Sequence, residues 1–230
     1  MRTVLFASVL ASATALSVGG VVAPTGGSTQ LNALLARRSV AKVICFPFLL
    51  SCHPSVFLQY YVLCVCTQYD SSREVPAESI DRALNAAIMA PNHFLSEPWR
   101  FYSCGPETKA KLCGLNEEKR AMAEGVPEMM IVSLKTEHEI DAKLGLEDHA
   151  AVACATQNFM LSLASEGIGS KWMTGALGAA PEDVLGAVDA GEGERLIGAI
   201  WFGYPAKELS NDGKAPPRKM GLDGVLTKCP

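Results

Sequence analysis

A chain of 230 residues, 49% of them hydrophobic, carries enough apolar surface to close one full core without disulfide or metal staples. Its formal net charge of −4 and isoelectric point of about 5.6 argue against nucleic acid as the main partner, which calls for a basic face. A local basic cluster could still grip one phosphate, so the charge leaves a nucleotide cofactor open.

After Arg2 no charged residue occurs until Arg37. A basic start, an apolar run from Val4 to Val18 and small residues that suit a cleavage site predict a secretory-type leader. The competing reading is an ordinary buried N-terminal helix. Val22–Thr29 reads as a linker, so residues 1–27 are assigned as leader and linker and residues 28–230 as the folded domain. Such a leader directs a chain to the secretory pathway or onward to an organelle such as a plastid.

Ser28 or Thr29 can cap a helix over Gln30–Arg38 with Leu31, Leu34 and Leu35 on one face. It ends in Arg37-Arg38-Ser39, where two guanidiniums and a hydroxyl can hold a phosphate by bidentate, charge-assisted bonds. The same residues can simply complement the helix dipole.

From Val43 to Gln68 the chain changes character, with no formal charge and four of the eight cysteines. As a membrane span the segment is long enough, but Pro47, His53 and Pro54 interrupt it. Cys64 and Cys66 with His53 lack the two spaced ligand pairs of a zinc site. A lipophilic insertion loop is one reading. A translated intron is the preferred one: valine codons begin GT and a glutamine codon can be CAG, so the segment can begin and end on splice-site bases. Its removal joins Lys42 to Tyr69 and leaves a smooth run of helix end, loop and capped helix.

Further along, Pro76–Met89 reads as a helix with Ile80, Leu84, Ala87 and Ile88 as its apolar face, stopped by Pro91. Trp99–Cys104 alternates like a strand, Glu107–Gly114 reads as a short helix, and Pro127–Leu134 as a central strand. Ala150–Glu166 is apolar nearly all round, which predicts a buried helix ended by Gly167 in a left-handed cap. Cys154 within it reads as a packing residue. A strand edge near Trp172–Thr174, a helix at Pro181–Ala187 and a strand at Leu196–Gly203 complete an α+β pattern.

No serine elbow, P-loop or complete dinucleotide fingerprint occurs, and the cysteines have no histidine at a telling spacing. What stands out instead is a pair of distant stretches, Ala90–Phe101 and Gly167–Gly175, each placing rings, polar groups and rigid backbone at a helix end. Together they suit a flat, partly polar ring system with an anionic tail. Trp99 reads as core, His149 beside Glu147 and Asp148 as an exposed helix start, and His138 as solvated.

Taken in order, RRSVAK, APNHFLSEPWRF, EDHAAVACATQNFMLSLASEGIGSKWMTG, IGAIWFGYPAK and PPRKMGLDGVL resemble the FMN-dependent nitroreductase family, in particular compact members with an APxH loop and a WRSG-like turn. The resemblance runs from Leu31 to Leu226 with Val43–Gln68 set aside. It implies a three-layer α+β sandwich with a mixed, mostly antiparallel sheet flanked by helices, in an intertwined homodimer with FMN at the interface. It also implies no nucleic-acid partner and no membrane span in the mature domain.

By position, the resemblance implies that Arg37, Arg38 and Ser39 hold the flavin phosphate and ribityl tail, joined by Arg218 and, more weakly, Lys207. Pro91, Asn92 and His93 would reach the same flavin from the partner subunit. Trp172, Met173, Thr174 and Gly175 would line the ring or ribityl chain. The family often has arginine where this chain has Met173, so the contact implied there is through backbone. No dedicated protein acid or base is expected. The implied activity is ping-pong reduction of nitroaromatics, quinones or similar electron-poor acceptors by NAD(P)H. A relative that dehalogenates iodinated aromatics or consumes its flavin would carry a lid, and the only stretch available, Ala121–Pro127, is short. The alternative from another class is a flavin-binding or catalytically impaired interaction protein of the same fold.

Overall fold

Two strands with near-continuous apolar runs are buried on both faces, and the protein is built outward from them. The structure is a computed structural model that describes residues 68–139, 141–206 and 220–229. The leader, the 30–38 helix with Arg37, Arg38 and Ser39, residues 43–67, Lys207 and Arg218 lie outside the described residues.

Strand β2 (Glu128–Lys135) sends Met130, Val132 and Leu134 into one core and Met129 and Ile131 into the other. Strand β4 (Glu194–Gly203) repeats this with Ile200 and Phe202 on the first side and Ala199 and Trp201 on the second. Strands β1 (Trp99–Ser103) and β3 (Gly169–Met173) close the sheet in the order β1-β2-β4-β3. Every strand pairing among the described residues is antiparallel.

On the first face lie α1 (Ala77–Ala87) and α4 (Lys143–Ser165); on the second lie α2 (Pro106–Gly114), α3 (Glu117–Glu124) and α5 (Pro181–Ala187). This is the three-layer α+β sandwich expected. Phe159 on α4 is fully buried, 5.6 Å edge-on from Phe202, and its burial contributes about 1.5–3 kcal/mol. Trp99 is core, as read.

Helix α1 packs Ile80, Leu84 and Ala87 of the expected face against the core but centres the contact on smaller residues. Ser79, Ala83, Ala86 and Ala87 are buried, while Ile80 and Leu84 are half-buried and Ile88 is exposed. Small side chains let α1 approach α4 closely, and Asn158 of α4 donates to the Ala86 carbonyl at 3.2 Å. Glu166, at the end of α4, clamps α1 by accepting from Ser79 Oγ at 2.7 Å and pairing with Arg82 at 2.6 Å.

Helix α4 begins seven residues before the expected Ala150, at Lys143. Its N-cap, Ala142, makes no side-chain cap, so the start carries no sequence signal. The helix is also not buried all round: Cys154 is exposed, and the packing role expected for it does not hold. The C-terminus is as expected. Gly167 at φ 76° lets Ile168 N–H reach the Leu163 carbonyl and Gly167 N–H reach that of Ala164, a Schellman cap.

Helix α3 was not anticipated. Asn116 caps it by accepting from Lys119 N–H at 3.3 Å, with Glu117 and Glu118 in the first turn. Ala121–Glu124 therefore belongs to a helix, and only Gly125–Pro127 is left as connection. Among the described residues no helix is long and apolar enough to cross a membrane.

Candidate functional site

The antiparallel order makes the end of β3 and the start of β1 point toward the same end of the sheet from opposite edges, with Met173 level with Tyr102 through Ala199 and Ile131. Both predicted site segments sit there. Three inter-strand steps separate the two edges, roughly 14 Å across the sheet at about 4.8 Å per step, and the register adds a further offset along the strands. The structure therefore brings them to one end of the subunit without bringing them into one pocket.

At the β3 edge, Trp172 and Met173 are half-buried and Thr174 and Gly175 are exposed. The Trp172 indole nitrogen is buried with no hydrogen-bond partner among the described residues. A side chain at Gly175 would meet nothing within 4 Å, and its carbonyl accepts from Gly178 N–H at 2.7 Å, closing the turn. As the edge strand, β3 leaves backbone groups on its outer side free of the sheet ladder.

The β3 end rests on an irregularity in β4. The β2–β4 register slips between Val132 and Ser133, so Ile197 has no partner opposite it, and Gly198 follows at φ 151°. A Cβ on Gly198 would lie 2.8 Å from the Met173 carbonyl oxygen, 2.9 Å from Trp172 Nε1 and 3.2 Å from Thr174 Cα.

At the β1 edge, Pro91–Pro98 forms a loop clasped by side chains. Asn92 donates to the Ala90 carbonyl at 3.3 Å and accepts from Glu97 N–H at 3.2 Å, so its amide is spent holding the loop. His93 pairs through Nδ1 with Glu147 of α4 and stacks on Phe94 at 3.9 Å. Ser96 and Thr136 each donate at 2.6 Å to Asp148, a carboxylate only 4% exposed. The clasp offsets strain: Phe94, Leu95 and Glu97 have φ of 52°, 57° and 43°, a conformation costing on the order of 1 kcal/mol or more at each residue. Phe94 and Leu95 are displayed outward at 82% and 77% exposure.

The strand start of β4 adds a third polar group at this end. Glu194 accepts from Tyr102 Oη at 2.6 Å and from Ser133 Oγ. Burial works to raise its pKa, but the bonds from Ser133 and Tyr102, the Gly191 N–H and the nearby Arg100 charge together leave the carboxyl below its ordinary range. Burial and the bond to Glu194 hold the Tyr102 phenol above its own. Both groups are committed to each other. Cys104 offers no thiolate either, since burial pushes its pKa up to about 11. Among the described residues no group of three or more His, Cys, Asp or Glu could hold a metal.

Sequence reasoning placed Pro91, Asn92, His93 and Trp172–Gly175 at this end but missed their supports. Glu147 and Asp148 lie within α4 rather than at an exposed helix start, and only His149 is exposed as expected. No spacing signals the Ser96–Asp148–Thr136 clasp, whose members lie far apart in the chain. Gly198 did leave a signal: a glycine inside an apolar strand marks a bulge or a close backbone approach.

A sequence profile described as the nitroreductase family matches residues 66–133 and 115–204. A Bacillus subtilis protein named as an NAD(P)H nitroreductase, YfhC, is 30% identical over 161 residues, spanning 63% of this chain and 81% of its own. A Desulfovibrio desulfuricans protein titled as a nitroreductase, solved in complex with FMN, superposes with a TM-score of 0.61 at 22% identity, covering 76% of this chain and 96% of its own. The NADPH:FMN oxidoreductase of Vibrio harveyi, solved with NAD+, superposes with a TM-score of 0.61 at 13% identity, covering 75% and 76% of the two chains. These two structures share the fold.

Proposed function

Because this chain belongs to the nitroreductase family, we propose that it is an FMN-dependent NAD(P)H oxidoreductase acting on nitroaromatics, quinones or similar electron-poor acceptors. The observation that carries the reading is the β3 end, which fits the ring of such a cofactor. Among the described residues Trp172 has an indole N–H without a partner, Gly175 leaves open space for a flat group, and β3 is an edge strand. Arg37, Arg38 and Ser39, with Arg218 and Lys207, are assigned the phosphate and ribityl tail; they lie outside the described residues.

FMN held there would supply the redox chemistry, accepting a hydride from NAD(P)H and reducing the acceptor in a second half-reaction of ping-pong order. The chain's own groups bind, orient and exclude water. Were FMN bound there, Trp172 and the backbone of Met173–Gly175 would be the groups that hold its ring. His93, tied to Glu147, is a fixed wall rather than a free base, and Asn92 stiffens the loop it stands on.

One subunit cannot bring the 91–93 loop and the β3 end to a single ring, because they occupy opposite sheet edges. A homodimer resolves this if each loop serves the partner's β3 end. In this reading residues 1–27 are the leader and linker and residues 28–230 the catalytic domain. Val43–Gln68 is read as an intruding segment whose end meets the fold: the Gln68 carbonyl accepts from Ala206 N–H at 3.1 Å, Tyr69 bridges Pro205 and Asp70 N–H donates to the Tyr204 carbonyl at 2.8 Å.

The test is the visible spectrum of desalted protein from Thr25 onward, made with and without Val43–Gln68. A flavin spectrum in the shortened form alone supports the cofactor and the intrusion together. Flavin in both forms makes the segment a tolerated loop. No flavin in either, even after FMN is added, refutes the oxidoreductase reading.

A further inference from the structure

We propose that Gly198 is a positioning residue for the flavin grip, a role that rests on the FMN reading above. It makes no polar contact with a ligand. Its missing side chain is the seat on which the end of β3 is set.

Three observations converge on the position. The β2–β4 register slips next to it, leaving Ile197 unopposed, and bulges of this kind re-aim neighbouring chain. Gly198 itself stands at φ 151°, which L side chains rarely adopt. The space where its Cβ would lie is taken by the Met173 carbonyl, the Trp172 indole nitrogen and Thr174 Cα, all within 3.2 Å. Those three residues are consecutive and belong to the stretch assigned to the ring. Ordinary Cβ contacts begin at 3.4 Å, so an alanine would drive the Met173 carbonyl back by more than half an ångström. The Met173 carbonyl shares its rigid peptide plane with Thr174 N–H, so that donor moves with it, and hydrogen bonds weaken steeply with distance and angle. The Trp172 indole would be pushed from the same side.

Gly203 gives a matched control. It lies on the same strand, and a Cβ there would meet Pro127 Cγ at 2.6 Å, yet it pairs with Gly169 at the far end of β3. The experiment measures FMN dissociation constants, from quenching of free FMN fluorescence, and melting temperatures of the FMN-free protein for wild type, Gly198→Ala and Gly203→Ala. The expected result is FMN affinity at least 10-fold weaker for Gly198→Ala and within 3-fold of wild type for Gly203→Ala, at comparable losses of melting temperature. Equal weakening in both variants, or unchanged affinity in Gly198→Ala, overturns the proposal.

Should Gly198→Ala not fold, hydrogen exchange of the wild-type protein decides. FMN should protect the amides of 197–199 together with those of 173–175, and not Gly203; protection confined to 173–175 overturns the proposal. Wild-type protein that binds no FMN ends the functional reading and this inference together. Wild-type binding with an indifferent Gly198→Ala ends this inference alone.

Discussion

Replacing Asp148 with alanine tests whether the strained 91–97 loop is held by the carboxylate beneath it. Two hydroxyls lose their acceptor. Ser96 is exposed and can turn to water, so its bond is worth about 0.5–1.5 kcal/mol; Thr136 is half-buried, and its bond to a charged group is worth about 1.5–3 kcal/mol. Removing a buried carboxylate also relieves its desolvation, which offsets part of the loss. The net expectation is about 2 kcal/mol of stability, roughly a 30-fold change in the folding equilibrium. Urea denaturation reads this directly. A local readout comes from chymotrypsin, which cuts after Phe94 or Leu95 only when the loop opens, since both side chains are already exposed. Cleavage should quicken at least 10-fold in Asp148→Ala. Glu147→Ala is the comparison: its pair with His93 is solvent-facing and should cost at most about 1 kcal/mol. An Asp148→Ala protein within about 0.5 kcal/mol of wild type, with unchanged cleavage, would refute the clasp.

Two further outcomes follow from the protein's titratable groups. The hydrogen bond from Arg82 holds the Glu166 carboxyl below its ordinary range, against the opposing effect of burial and with help from Ser79. A depressed folded value gives stability that is full above the unfolded pKa of about 4.3 and lost as pH falls through the folded one. The urea midpoints of wild type and Glu166→Gln should thus differ most above about pH 5 and converge on acidification; a constant gap would contradict this. Among the described cysteines, burial raises the thiols of both Cys104 and Cys113, while Cys229 is exposed. Peptide mapping after brief alkylation at pH 8 should find Cys229 modified well before Cys104 or Cys113, and equal labelling would count against the core assignment.

The layers of the fold were legible because period and length survive in single elements. Pro127–Leu134 read as a central strand because its apolar run is nearly continuous, Leu196–Gly203 read as a strand, and Pro181–Ala187 was placed to the residue. What failed had weak local chemistry. Helix α4 starts on an uncapped Ala142, so Glu147 and Asp148 read as the exposed start of the helix rather than as part of its second turn. The face of α1 was read correctly at Ala87, with Ile80 and Leu84 packed against the core, but it included the exposed Ile88 and missed the buried Ser79, Ala83 and Ala86, which close helix packing selects for size.

The candidate site divides along the same line. Residues with distinctive chemistry can be nominated from sequence, which is how Asn92, His93 and Trp172 became candidates. Residues that hold them act through tertiary geometry: Asp148 reaches Ser96 across 52 positions, and Gly198 acts by what it lacks. The division has a consequence for the two sheet edges. Each edge carries its own support, the Asp148 clasp for the loop and the Gly198 seat for the β3 end, with no shared residue. Sites sharing no partners and standing more than about 10 Å apart perturb stability additively. If each loop meets the partner's β3 end over one flavin, however, the two supports act on the same ligand. Asp148→Ala and Gly198→Ala should then add in the stability of the FMN-free protein and depart from additivity in FMN affinity. Additivity in both would mean that loop and strand end serve different sites.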